Sequence, residues 1–148
     1  MGKAKAKEML FWTKEEYLKF SEIMKKKPIS FYAFEVLYWT GIREGELLAL
    51  QRKDVDLTGM KLTVSKSYQR LEKQDYVTTP KTDKSNRVID LPQFLCDELE
   101  DYFGMLYKCD DDTRLFEISK SYLHSEMNRG VKGAGVKRIR IHDIRHSH

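Results

Sequence analysis

The sequence predicts an α+β protein, mainly helical, with one small antiparallel sheet. Three observations carry that expectation. Residues 31–40 are apolar on almost every side and end at Gly41, the mark of a helix buried in a core. Residues 61–68 and 87–91 alternate as strands do and flank a turn-rich run, Pro80-Lys81-Thr82-Asp83-Lys84-Ser85-Asn86. Residues 92–106 return to helical spacing, with Leu95, Leu99, Tyr102, Phe103 and Leu106 on one side.

The bulk properties agree with a soluble globular chain. Its 148 residues suit one domain, and 41% hydrophobic with 34% charged residues fits a globular chain rather than a disordered one. No apolar run reaches the roughly 18 residues of a membrane span. Met1 to Met9 is rich in Lys and Ala and has no apolar core of a signal peptide. Cys96 and Cys109 form no metal-type pair and are expected to be reduced thiols, which points to the cytoplasm. Net charge is +4, and its distribution matters more than its sum. Residues 128–140 hold five basic side chains, Arg129, Lys132, Lys137, Arg138 and Arg140, and no acid, whereas residues 97–112 are strongly acidic. A basic face opposite an acidic one suits a polyanion partner, though scattered solvated charge has the same composition.

In chain order, residues 1–10 are expected to be a linker, with the domain spanning 11–148. Thr13 and Glu16 form a capping box and Trp12 with Tyr17 a hydrophobic staple. The helix they open carries Tyr17, Phe20 and Met24 on its apolar side and is expected to run to about Lys27, where Pro28 ends it. Gly41 supplies the left-handed residue that closes the buried helix. A further helix opens at about Arg43, whose guanidinium, always charged, must be paired or directed into a cleft. Asp54 to Leu57 suits a short strand, Thr58-Gly59 a turn, and Tyr76 to Thr79 a stretch that extends the strand over 61–68 or pairs with it. Lys81 falls at a hairpin tip. Pro92 suits the first position of the next helix. Asp110 to Asp112 suits a loop. Ser121 to Asn128 suits a helix ended by Gly130, followed by a flexible basic connection over 131–135. Residues 136–141 lead into His142-Asp143-Ile144-Arg145-His146.

Thr40-Gly41-Ile42-Arg43-Glu44-Gly45-Glu46, then Thr79-Pro80-Lys81-Thr82, then His142-Asp143-Ile144-Arg145-His146, in this order and spacing, resembles the catalytic domain of tyrosine recombinases. These are the phage and mobile-element integrases and their Xer and Cre relatives, and the resemblance spans residues 11–148. It implies site-specific DNA recombination through a 3′-phosphotyrosine intermediate. It also implies double-stranded DNA attachment sites as partner, no cofactor and no metal, and a bacterial or phage-encoded protein acting in the cytoplasm. Residue by residue, Arg43 and Arg145 resemble the two arginines that grip the scissile phosphate. Lys81 resembles the hairpin lysine that protonates the departing 5′-hydroxyl, with Lys84 in the same turn as the alternative. His142 resembles the histidine that takes or shares the nucleophile's proton, and at i and i+3 it shares a helix face with Arg145. Glu46 is expected to orient the arginine helix, His146 has no role assigned by spacing, and His124 is expected at the surface.

The sequence departs from the family pattern in two ways. Ile144 stands where Leu is usual, a volume-conserving exchange. The family's nucleophilic tyrosine lies after the His-x-x-Arg motif, but all eight tyrosines here precede His142. The 148 residues are therefore expected to be a catalytic domain truncated before its nucleophile, inactive and monomeric alone, from a full-length tetramer on DNA. One rival reading comes from another class. His142-Asp143-Ile144-Arg145-His146 imitates the H-E-x-x-H zinc helix, with His148 as a spare ligand, but Asp143 is a methylene short of the Glu that reaches a metal-bound water, and Arg145 would sit beside a dication. A DNA-binding relative without cleavage remains a third reading. Type IB topoisomerases share the chemistry, but the Gly-Ile-Arg-x-x-Glu and Lys-Thr context resembles integrases more.

Overall fold

The computed structural model describes residues 11–71, 74–78 and 86–144. The chain divides into two compact units, Met1–Gly41 with Ser119–His148, and Ile42–Ile118.

The first unit is helical. Helix α1 (Lys14–Met24) opens on the expected capping box: the Glu16 amide donates to Thr13 Oγ1 at 3.2 Å, and the Thr13 amide donates to Glu16 Oε1 at 2.8 Å. Trp12 is buried beside it, 4.7 Å from the Phe20 ring, and donates its indole N–H to the Lys137 carbonyl at 2.8 Å. The helix stops at Met24, short of Lys27, because Pro28 is already the first residue of helix α2 (Pro28–Thr40), where a missing N–H costs nothing. Helix α2 is buried on most sides, as its composition predicts, and Gly41 closes it at φ 73°. The Tyr17 and Tyr38 rings stack at 3.8 Å and 1°, and the Tyr17 hydroxyl donates to the buried Glu35 carboxylate. Helix α5 (Lys120–Ala134) is capped by Ser119 and closed by Gly135 at φ 69°. It therefore runs through Gly130 and the stretch expected to be a flexible connection. Gly130 ends nothing. A Cβ there would lie 2.3 Å from the Phe20 ring and 2.8 Å from Met24 Cε, so glycine lets α5 approach α1.

The second unit holds the sheets. Helix α3 (Glu44–Ala49) leads through a short 3₁₀ turn (Arg52–Asp54) into β1 (Val55–Asp56), β2 (Lys61–Val64), β3 (Ser67–Leu71), β4 (Gln74–Thr78) and β5 (Arg87–Asp90). Strands β1, β2 and β5 form an antiparallel sheet in the order β1-β2-β5, and β3 pairs with β4 separately. Alternation alone reads 61–68 as one strand, but the chain breaks at Ser65-Lys66. Lys66 turns to the buried Asp54 carboxylate at 3.1 Å and donates to Gln51 Oε1. The core face of β2 carries Leu62 and Val64, both fully buried. Helix α4 (Gln93–Met105) buries Leu95, Leu99 and Tyr102, with Pro92 at its cap, one residue earlier than expected. Tyr102 stacks on Phe116 at 5.1 Å.

Candidate functional site

Arg43 occupies the cap of α3, with extended backbone (φ −79°, ψ 157°) directly after the buried Ile42. The glycine after it has a packing reason: a Cβ on Gly45 would lie 2.6 Å from Ser67 Oγ and 3.1 Å from the Tyr68 carbonyl. That close approach presses α3 against β3 and fixes where Arg43 leaves the fold. Its side chain is 57% exposed.

Glu46, 5% exposed, is the anchor beneath Arg43. Its Oε1 accepts the Arg43 backbone N–H at 2.8 Å, and its Oε2 lies 3.9 Å from Arg43 Nη1. Glu46 thus orients the arginine helix, the role expected of it. Its strongest partner is one that sequence reasoning missed. Arg87, at the start of β5, donates Nη1 to Glu46 Oε2 and Nη2 to Oε1, both at 2.9 Å. The signal was present in strand alternation. Val64 pairs with Arg87 and Leu62 with Ile89, so Arg87 lies on the inward side of β5 while Val88 is 61% exposed. Burial pushes the Glu46 carboxyl up, but the Arg87 fork, the Arg43 N–H and both positive charges outweigh it and hold it below the ordinary value. The same fork raises Arg87.

His142 sits in a 3₁₀ turn, Ile141–Asp143, and is exposed between neighbours that are not: Ile141, Asp143 and Ile144 are all buried. Arg140 donates Nε and Nη2 to the two Asp143 oxygens, at 2.8 and 3.1 Å, which closes the turn around His142. Ile144 fills its pocket at 0% exposure, as the exchange from Leu allows. Lys81, its alternative Lys84, and Arg145 lie outside the described residues, as do His146 and His148 of the zinc reading. Among the described residues no group of three or more His, Cys, Asp or Glu could hold a metal, and no helix is long and apolar enough to cross a membrane.

The basic run of 128–140 is largely committed within its own unit. Arg129 forks onto Glu126 at 2.8 Å twice, Lys137 meets Glu16 at 3.3 Å, and Arg138 donates to Asn128 Oδ1 at 2.6 Å. With Arg140 on Asp143, four of the five charges have partners, and Lys132 is exposed on α5. This stretch is a set of internal braces more than an open phosphate track. His124 is exposed on α5, as expected.

Residues 11–148 match the model of the phage integrase family. The ICEBs1 integrase of Bacillus subtilis (strain 168) is 35% identical over 156 residues, covering 96% of this chain and 42% of the relative. The putative prophage phiRv2 integrase of Mycobacterium tuberculosis is 33% identical over 134 residues, covering 84% and 36%. Among solved structures, the Tn1549 transposon integrase in complex with transposon right end DNA superposes with a TM-score of 0.77 at 20% identity, over 94% of this chain and 51% of that one. The crystal structure of XerA recombinase gives 0.72 at 23%, over 93% and 46%. These likenesses establish the fold. The chain spans well under half the length of these two relatives.

Proposed function

The chain belongs to the phage integrase family, and from that premise we propose that it holds the scissile DNA phosphate in a tyrosine-type site-specific recombinase. The observation that carries the proposal is Arg43, a permanently charged donor anchored by its own backbone to a buried carboxylate while its guanidinium stays more than half exposed. Such a group can meet a phosphate without reorganising, which is what electrostatic stabilisation of a developing charge requires.

In this reading Arg43 and Arg145 bind the non-bridging oxygens. Negative charge gathers there as the tyrosine oxygen attacks phosphorus, so two fixed cations stabilise the transition state more than the ground state. His142 takes the proton of the attacking hydroxyl. Lys81, or Lys84 in the same turn, gives a proton to the departing 5′-hydroxyl. The 3′-phosphotyrosyl link keeps the phosphodiester energy, and a second 5′-hydroxyl reverses the step on a partner strand, so no ATP is consumed. The partner is double-stranded DNA carrying attachment sites in the bacterial cytoplasm, bound by a tetramer of the full-length protein. These 148 residues alone are a monomer.

The test is recombination between two plasmids bearing the attachment sites by the full-length protein, without ATP. Wild type forms recombinants. Arg43→Ala and Arg145→Ala lose about 10²–10³-fold in rate while keeping their thermal midpoints. Wild-type recombination by Arg43→Ala, or its unfolding, contradicts the assignment.

A further inference from the structure

We propose that Arg87 is a positioning residue for Arg43, acting through Glu46 to keep the phosphate-binding guanidinium from being captured by its own anchor. The inference rests on the reading of Arg43 given above and adds a residue to it. Glu46 is a buried carboxylate within reach of two arginines, and the two are used differently. Arg87 takes both oxygens in a fork at 2.9 Å from a side chain 30% exposed. Arg43 gives its backbone N–H at 2.8 Å, and its guanidinium stands off at 3.9 Å.

A buried carboxylate needs compensation. With Arg87 in place, the geometry already supplies three hydrogen bonds to Glu46, and Arg43 need not close the remaining distance. Without Arg87, the nearest cation among the described residues is the Arg43 guanidinium at 3.9 Å, and a rotation of its flexible side chain would form the fork in Arg87's stead. That rotation withdraws Arg43 from the exposed position a phosphate requires.

The test uses the full-length protein and single-turnover cleavage of a nicked duplex, scored as covalent protein–DNA adduct, with duplex affinity measured alongside. Arg87→Met cleaves about a hundredfold more slowly, the scale expected when a catalytic group is displaced by about 1 Å. Adding Glu46→Gln removes the charge that captures Arg43 and keeps an oxygen for the Arg43 N–H. The double variant therefore regains cleavage to within about tenfold of wild type. A merely structural brace would also be rescued by neutralising its unpaired partner, so thermal midpoints are measured alongside. In the positioning role Arg87→Met cleaves far more slowly than the double variant at a similar midpoint, and a cleavage loss that only follows a lowered midpoint overturns the proposal. Wild-type cleavage by Arg87→Met overturns the proposal, and so does a double variant that folds but cleaves no faster than Arg87→Met. If Arg87→Met fails to fold, the double variant, with no buried unpaired charge, decides alone: a folded but inactive double variant overturns the proposal. Arg43→Ala in parallel separates the two levels. If it cleaves normally, the phosphate reading of Arg43 fails first. If it is inactive while Arg87→Met is unaffected, only the role of Arg87 is lost.

Discussion

Arg140 grips Asp143 with Nε at 2.8 Å and Nη2 at 3.1 Å, and the residue between them that faces outward is His142. Asp143 is 3% exposed and the Arg140 side chain 68%, so a surface arginine reaches down to a buried carboxylate and holds the turn shut. The ion pair raises Arg140 above its ordinary value. Arg140→Ala and Asp143→Ala are each expected to slow cleavage by about 10–100-fold through a loosened His142. The double variant should be no slower than the worse single one, because both remove the same constraint. Single-turnover rates measure this, and additive losses would show that the two act separately.

Lys81→Ala should slow cleavage of a normal duplex and be rescued on a substrate with a 5′-thiol leaving group, which departs without a proton donor. Lys84→Ala should need no rescue. The reverse pattern would move the proton-donating role to Lys84.

Glu16, Glu46 and Glu126 should give the fold an acid limit. Glu16 is lowered first by the Thr13 N–H, and Glu126 first by the Arg129 fork. For Glu46 the opposing burial is overcome by Arg87 and Arg43. A carboxylate depressed in the folded state stabilises it fully above the ordinary glutamate value of 4.5 and progressively less as pH falls through its folded value. Urea midpoints should therefore be flat from neutrality to about pH 5 and fall below it. Glu46→Gln should make that fall shallower, and an unchanged acid limb would contradict the account.

Gly130→Ala should destabilise the fold by about 1–3 kcal/mol despite alanine's better helix propensity, because the fully buried Phe20 and Met24 cannot yield. Gly133→Ala one turn on meets only Ile23, at 3.1–3.3 Å, and should be closer to neutral. Thermal midpoints of the two variants give the order, and equal midpoints would contradict the close approach of α5 to Phe20 at Gly130.

These variants also mark what the sequence could and could not disclose. Gly41 was legible because a helix end demands a left-handed residue, a local requirement. Gly45 and Gly130 were not, because each answers to a side chain or carbonyl far along the chain. The capping box spans only the four residues from Thr13 to Glu16, and it forms as the sequence predicts. The break at Ser65-Lys66 depends on Asp54 and Gln51, which no alternation rule sees. At the site, Arg43, Glu46 and His142 stood in short motifs. Arg87 had only its place on the inward side of a strand to signal it, and Arg140 looked like one more charge in a basic run. Charge density alone did not decide there, and it gave no sign that most of that run has partners within its own unit.

The most direct test of the central claim is to incubate the full-length protein, in EDTA, with a nicked duplex carrying its attachment site and to look for protein joined to DNA. Covalent attachment through a tyrosine to a DNA 3′ end, lost in Arg43→Ala, is the result this account predicts. Binding without an adduct would leave a DNA-binding protein that does not cut. Activity that returns only when zinc is restored would place the chemistry on His142, His146 and His148 instead.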